Sequence, residues 1–430
     1  MRYREILTLL LFELGFGVKF NFIGVISISE LFLMLFVPLF ILPKVKWRKT
    51  NELRRLTIAY VLLFVSQVIS EFIVGNDISS SFKGLAITVV SYFHFMFLCF
   101  YLSRQKSLIL VLIISQIMMK LLFGTDVAEQ SVEDMLQGEG ATYLKFYIAP
   151  LLISIFLAVS IIFKHKSLSV IFFLLGVLLV FLGARSSGGL ALLAGLVAYM
   201  LEHKIFTFDK KVLVLSTVVL CVIAYSFYAY YVSSVLAGDI TSGNSQQVFL
   251  CENPYNPLEL LIAGRSEAWV GWQAFMDKFW FGHGAWPYDT TGRYQRMMLA
   301  MHDELSTISR NQISFHYLIP SHSVLIGSGM MNGIFAFLAM GYIVFYFLWK
   351  GVSAFVKCDN RYKLVLIYNV FNLFSITLFA PQSHFRQTMP VAFAVIFVLS
   401  MSNGKEKLSL AKSRLSAYRE NMMGLLRRRK

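Results

Sequence analysis

Twelve apolar runs, none showing the strict polar alternation of a half-buried strand, leave this chain one setting in which to fold, the interior of a lipid bilayer. They fall at about 5–18, 26–42, 56–74, 84–101, 107–123, 143–163, 168–184, 187–201, 212–233, 323–348, 364–380 and 389–402. A straight helical span needs roughly 20 apolar residues, and several of these runs are shorter. In a bilayer core every backbone polar group must be satisfied internally, so continuous runs favour helices over a barrel. Composition agrees: 57% hydrophobic and 15% charged residues cannot clothe a water-soluble globule. The expected fold is an all-α polytopic membrane protein of about 12 transmembrane helices.

Lysine and arginine are retained on the cytoplasmic side of such proteins, and this sets the expected orientation. With both termini inside, the inner segments hold Arg2 and Arg4, the stretch Lys44–Arg55, Arg104 and Lys106, Lys164 and Lys166, Lys204–Lys211, Lys350–Lys363, and the basic residues from Lys405 onward. These are most of the 39 lysines and arginines. Asp126, Glu129, Glu133, Asp134 and Glu139 gather in one outer loop. The net charge of +15 is therefore an inner-face charge suited to anionic lipid, not a nucleic-acid footprint. Of the four cysteines only Cys251 falls outside, so no disulfide framework is available. The apolar N-terminus lacks a small-residue cleavage site and is expected to remain as a helix. The basic tail, with Leu408, Leu415, Met422 and Leu425, reads as a topology anchor or a surface amphipathic helix. No internal repeat is visible, which weighs against the commonest transporter architectures.

Four regions follow: N-terminal helices over 1–233, a large polar insert over 234–321, C-terminal helices over 322–403, and the tail over 404–430. In a chain with little other water-exposed mass, recognition and chemistry are expected in the insert. Helical spacing of Leu258, Leu261, Ile262, Trp269, Trp272 and Phe275 predicts a helix over 255–276, and 297–306 reads as a second short helix. The expected topology puts Arg185, Arg265, His322, His384 and Arg386 on one face of the membrane. Guanidinium groups at a bilayer edge are costly unless they meet an anion, and their planar fork suits phosphate oxygens. The pattern points to an anionic, lipid-linked substrate at the outer leaflet.

Three motifs now carry a resemblance. Gly183-Ala184-Arg185-Ser186 precedes a small-residue helix; Gly264-Arg265 is followed by Trp269 and the turn Phe281-Gly282-His283-Gly284; and Ser321-His322-Ser323 is followed by Leu325 and Gly333. In this order and sidedness they resemble the O-antigen polymerase and ligase superfamily, over 168–348. The resemblance implies an all-helical membrane glycosyltransferase of the C type with one large periplasmic insert, in the bacterial inner membrane. It implies undecaprenyl-pyrophosphate-linked glycans as donor and acceptor, no metal, no cofactor, and a chain-length regulator as a partner. Carried over, Arg185 and Arg265 would hold the pyrophosphate and His322 would position or activate the acceptor hydroxyl. The ligase pattern is matched through His322, Ser323 and Gly333 but ends on Ala336, so polymerisation of repeat units is the expected activity and ligation to lipid A core the alternative.

Blander roles stand beside these. Arg185 could cap a helix end, Arg265 could pair with Glu259 or Glu267, and His322 could be a polar helix-entry residue. Arg310, Arg293, Arg296, His283, His384 and Arg386 could line a sugar groove or simply serve solubility. Trp269, Trp272, Trp280, Trp286 and Tyr288 suit sugar stacking and an interfacial belt equally. Glu13, Glu30 and Glu71, within apolar runs, leave open pairing with the arginines or a proton path. A transporter or flippase of lipid-linked oligosaccharide would spread its arginines through both leaflets, and a structural scaffold would tolerate any single substitution. The eight histidines are scattered without metal-ligand spacing.

Overall fold

The computed structural model describes residues 3–21, 24–44, 51–124, 143–163, 167–203, 222, 225–226, 228–239, 246–249, 251–257, 259–260, 266–301 and 317–401. It is mostly helical, and six of its helices are long and apolar enough to cross a membrane. The elements are α1 (Tyr3–Leu14), a hairpin of β1 (Lys19–Asn21) and β2 (Val25–Ser27), α2 (Ile28–Phe36), α3 (Asn51–Val74), α4 (Ile78–Leu102), α5 (Leu108–Phe123), α6 (Ala149–Phe163), α7 (Ser167–Phe181) and α8 (Arg185–Glu202). After these come α9 (Ser266–Asp277), α10 (Arg293–Met301), α11 (Val324–Ala354), α12 (Asn360–Phe379) and α13 (Ser383–Met401). The runs at 107–123 and 168–184 form shorter apolar helices, and the first run forms a helix of only 12 residues. Most of the run at 212–233, the acidic loop around Asp126–Glu139 and the basic tail lie outside the described residues.

The chain's two ends of the bundle are fixed by contacts between distant segments. At one end Arg104 meets Glu5 at 3.3 Å, Lys350 pairs with Glu52, and Arg361 donates Nε–H to the Ile161 carbonyl at 3.0 Å. Basic residues expected on the inner side collect here. At the other end Arg386 pairs with Glu30, Glu71 meets the insert at Ala285, and Ser323 donates to the Thr377 carbonyl at 2.9 Å. Since α6 ends beside Arg361, α7 runs away from that end and returns the chain at Gly183 to the insert end, where α8 begins.

Two features of this frame position the chemistry. The α7–α8 pair packs backbone to backbone: a Cβ on Gly176 would lie 2.3 Å from Leu192 N, and one on Gly188 would lie 2.7 Å from Val180 N. Small residues permit such contact in lipid, where packing must drive helix association.

The second feature is a break in α11 at Gly333 (φ +77°, ψ −171°), a conformation essentially restricted to glycine. A broken helix leaves backbone groups without partners, and the insert supplies them. His283 N and Gly284 N donate to the Met330 and Met331 carbonyls at 2.8 and 2.7 Å, while Ile334 N donates to the Phe279 carbonyl at 2.9 Å. From α3, Ser66 donates to Asn332 O at 3.3 Å, and Ser70 to Met331 O at 3.1 Å and Phe281 O at 2.5 Å. Glu71 completes the joint by accepting from Ala285 N at 2.6 Å, Ser81 Oγ at 2.7 Å and Asn76 Nδ2 at 2.9 Å. The Phe-Gly-His-Gly turn is thus a plug seated in a helix break.

Candidate active site at the insert end

His322 stands immediately before the N-cap of α11. Ser323 fixes that entry: its hydroxyl accepts from Ile326 N at 3.2 Å and donates across to α12. The insert helix α9 packs against α11, and its first turn carries Glu267, whose Oε1 lies 3.9 Å from His322 Nδ1. That is ion-pair range and longer than a hydrogen bond. The imidazole is 46% exposed and the carboxylate 31% exposed, so both remain reachable from the insert end. At that separation the carboxylate acts on the ring through its charge and not through a hydrogen bond.

His384, at the start of α13, lies within Coulombic range of His322 and bonds Thr388 Oγ1 through Nδ1 at 3.2 Å. Two residues before His384 is Gln382, a buried side chain that sequence reasoning did not single out. Its Nε2 donates to Ser328 Oγ at 3.2 Å, and its Oε1 has no hydrogen-bond partner among the described residues. A buried amide oxygen left in this way is costly, and it borders Gly327 and Ser321, the residue before His322. Nothing in sequence spacing marks a glutamine in a three-residue turn as buried.

Arg185 is the first residue of α8 and is exposed. Its Nη1 donates to Tyr231 Oη at 3.2 Å, and its guanidinium lies 4.8 Å from the Tyr231 ring centre. A cation in a helix's first turn opposes the helix dipole, so the guanidinium and the helix N-terminus jointly favour an anion there. Arg185 and His322 are at the same end of the bundle, Arg185 on the α7–α8 side and His322 where α9 meets α11. Arg265 and Arg310 lie outside the described residues; Ser266, next to Arg265, is buried and opens α9.

Arg386 and His283 are engaged within the fold. Arg386 holds buried Glu30 through Nε and Nη2 and donates to the Val25 carbonyl at 2.9 Å. Glu30 also closes a capping box with Ser27 at the start of α2, so the pair ties the hairpin to α13. Of the carboxylates in apolar runs, Glu30 thus meets an arginine, Glu71 serves the joint, and Glu13 faces His94 at 3.9 Å, both buried. His283 donates Nε2–H to the Ala274 carbonyl at 2.8 Å, clasping the plug to α9.

Burial pushes the His283 imidazole below its ordinary value; Lys278 adds to the effect, while the Ala274 bond, Asp277 and Asp289 oppose it. A folded-state value below the unfolded one, about 6.5, means the undocked chain binds the proton better. The plug's contribution is therefore present above that value and lost as pH falls through the folded one. Thermal midpoints at neutral and mildly acidic pH should fall more for the wild type than for His283→Asn; parallel curves would refute the assignment. No protein-family model matches this chain, and no curated protein does.

Proposed function

We propose that this chain is a membrane glycosyltransferase that polymerises undecaprenyl-pyrophosphate-linked oligosaccharide repeats at the periplasmic face of a bacterial inner membrane. About twelve spans, both termini in the cytoplasm and the insert end outside belong to this reading, as does a chain-length regulator as partner. The observation that carries it is the His322–Glu267 pair, open at the same end of the bundle as the Arg185 helix start. Arg185 and Arg265 hold the donor pyrophosphate. The acceptor hydroxyl oxygen attacks the donor's anomeric carbon from the face opposite the leaving group, its proton passing to His322 Nε2. The anomeric carbon–oxygen bond breaks, and the carrier pyrophosphate departs with the electron pair as guanidinium charge stabilises it. The new linkage has inverted configuration.

Gly333 contributes nothing to the choice between polymerase and ligase, because the helix joint already explains it. Deleting the gene and separating envelope glycans on a gel tests the reading. Lipid A core bearing a single repeat is expected. Full-length polymer stranded on its carrier would assign ligation instead, and core bearing no repeat at all would assign transport of the lipid-linked repeat.

A further inference from the structure

A pocket of about 460 Å³ opens beside the plug, between the α3–α4 turn, the end of α9 and the stretch 283–294. Its size falls within the range of small-molecule sites. Two exposed rings, Trp286 and Tyr288, stand in its wall. Trp286 is the one non-glycine among the described residues with a left-handed backbone (φ +54°). Its neighbours explain how that geometry is held. Ala285 is buried with its N–H on Glu71, and the Pro287 carbonyl accepts from Ile319 N at 2.9 Å, so the chain is pinned on both sides and the indole is left at the surface.

The lining is not that of an interfacial belt. A belt ring lies against headgroups on the outer wall of a span; these rings share a concave site with Asn76, Asp77 and Thr290. Hydrogen bonds from Ser80 hold the Asp77 carboxyl below the usual carboxylate range, so an acceptor is present at neutral pH. Flat apolar faces combined with carboxylate, amide and hydroxyl groups complement a pyranose, whose ring face is C–H and whose rim is hydroxyl. Phosphate is a poorer fit, since Asp77, Asp277 and Asp289 outnumber Lys278 and Arg293 in the lining.

Chain connectivity places this pocket near the imidazole. Residues 287–289 and 317–319 pair through Asp289 N to Tyr317 O at 2.8 Å and the Tyr288–Leu318 bridge. Ile319, itself in the lining, precedes His322 by three residues, about 10 Å of chain at most. We infer that this pocket is a glycan subsite, which stacks a sugar of the oligosaccharide on Trp286 and Tyr288 while the chain continues toward the reacting hydroxyl at His322. The identity of the ligand as an oligosaccharide rests on the proposed function; the subsite itself concerns binding and not transfer.

The test uses the full chain in nanodiscs and, as probe, the free oligosaccharides released by mild acid from the host's carrier-linked glycans. Saturation-transfer NMR and indole fluorescence should both report binding to wild type. Tyr288→Ala should weaken it about tenfold, the equivalent of ~1.4 kcal/mol, and Trp286→Gly, which accepts the left-handed backbone, should do at least as much. His322→Ala should bind like wild type. Absence of binding to wild type, or wild-type affinity in both aromatic variants, overturns the inference and leaves the catalytic reading intact. Weakened binding in the aromatic variants together with normal polymer in His322→Ala upholds the subsite and removes the catalytic role.

Discussion

Gly333→Ala, the addition of one methyl group to a helix of 31 residues, should strip this protein of much of its stability in the membrane. The new Cβ would lie 2.0 Å from the Trp280 carbonyl oxygen and 2.6 Å from Phe281 N, both backbone atoms that cannot rotate away. Alanine is also strained at φ +77°, by about 1–3 kcal/mol. Relief requires the plug to withdraw, and withdrawal strips partners from the Met330 and Met331 carbonyls and from Ile334 N, at about 1 kcal/mol or more each. The total is on the order of 4–6 kcal/mol, comparable to the whole stability of many domains. Gly341→Ala in the same helix is the control. Its Cβ would meet only Leu325 Cδ1, at an ordinary 3.7 Å, and helix propensity favours the change. Thermal unfolding of the purified variants should separate them widely; equal midpoints would mean the break is not held by the plug.

That joint marks the limit of what the sequence discloses. The long spans are legible because 18 or more apolar residues in a row have one stable outcome in lipid. The α7–α8 pairing is legible in kind, since Gly176, Gly188 and Gly195 announce a close approach, although not its partner. Phe281-Gly282-His283-Gly284 and Gly333 are visible as motifs, yet their relation is a contact between segments about fifty residues apart, and no periodicity encodes it. His283 reads as a candidate ligand-binding residue in the sequence, and the structure places its ring against the Ala274 carbonyl. Arg386 reads likewise as a groove residue, and its charge is engaged by Glu30 from the opposite end of the chain. Within the predicted helix over 255–276, residues 257, 259 and 260 and Ser266–Asp277 are helical while 258 and 261–265 lie outside the described set; the second short helix starts at Arg293, where spacing gives 297.

Glu267 is the more instructive case. From sequence it is a partner for Arg265 two residues away; in the fold it faces His322 across the seam between α9 and α11. A carboxylate that serves an imidazole is recognised by geometry and not by order along the chain. At the same end, His384 from the start of α13 lies within Coulombic range of the His322 imidazole, and Gln382 from the turn after α12 is bonded to Ser328 in the first turns of α11.

His322→Ala should accordingly abolish long-chain polysaccharide while leaving the protein at its normal level in the membrane. The side chain is 46% exposed and its neighbours Ser321 and Ser323, not the imidazole, make the bonds that anchor α11, so its loss leaves the fold intact. General-base contributions are typically about 10²–10⁴-fold, and a defect of that order in transfer from a purified lipid-linked donor is expected, carried by kcat and not KM. Glu267→Gln keeps the shape and removes the charge that faces Nδ1; its defect should be smaller, about tenfold, and should not add to that of His322→Ala when the two are combined. Rescue of transfer by exogenous imidazole in His322→Ala would identify proton transfer as the missing step, a result that a merely structural histidine cannot produce. A full ladder of chain lengths from cells carrying His322→Ala would remove the residue from the chemistry, and with it the central role of this end of the bundle.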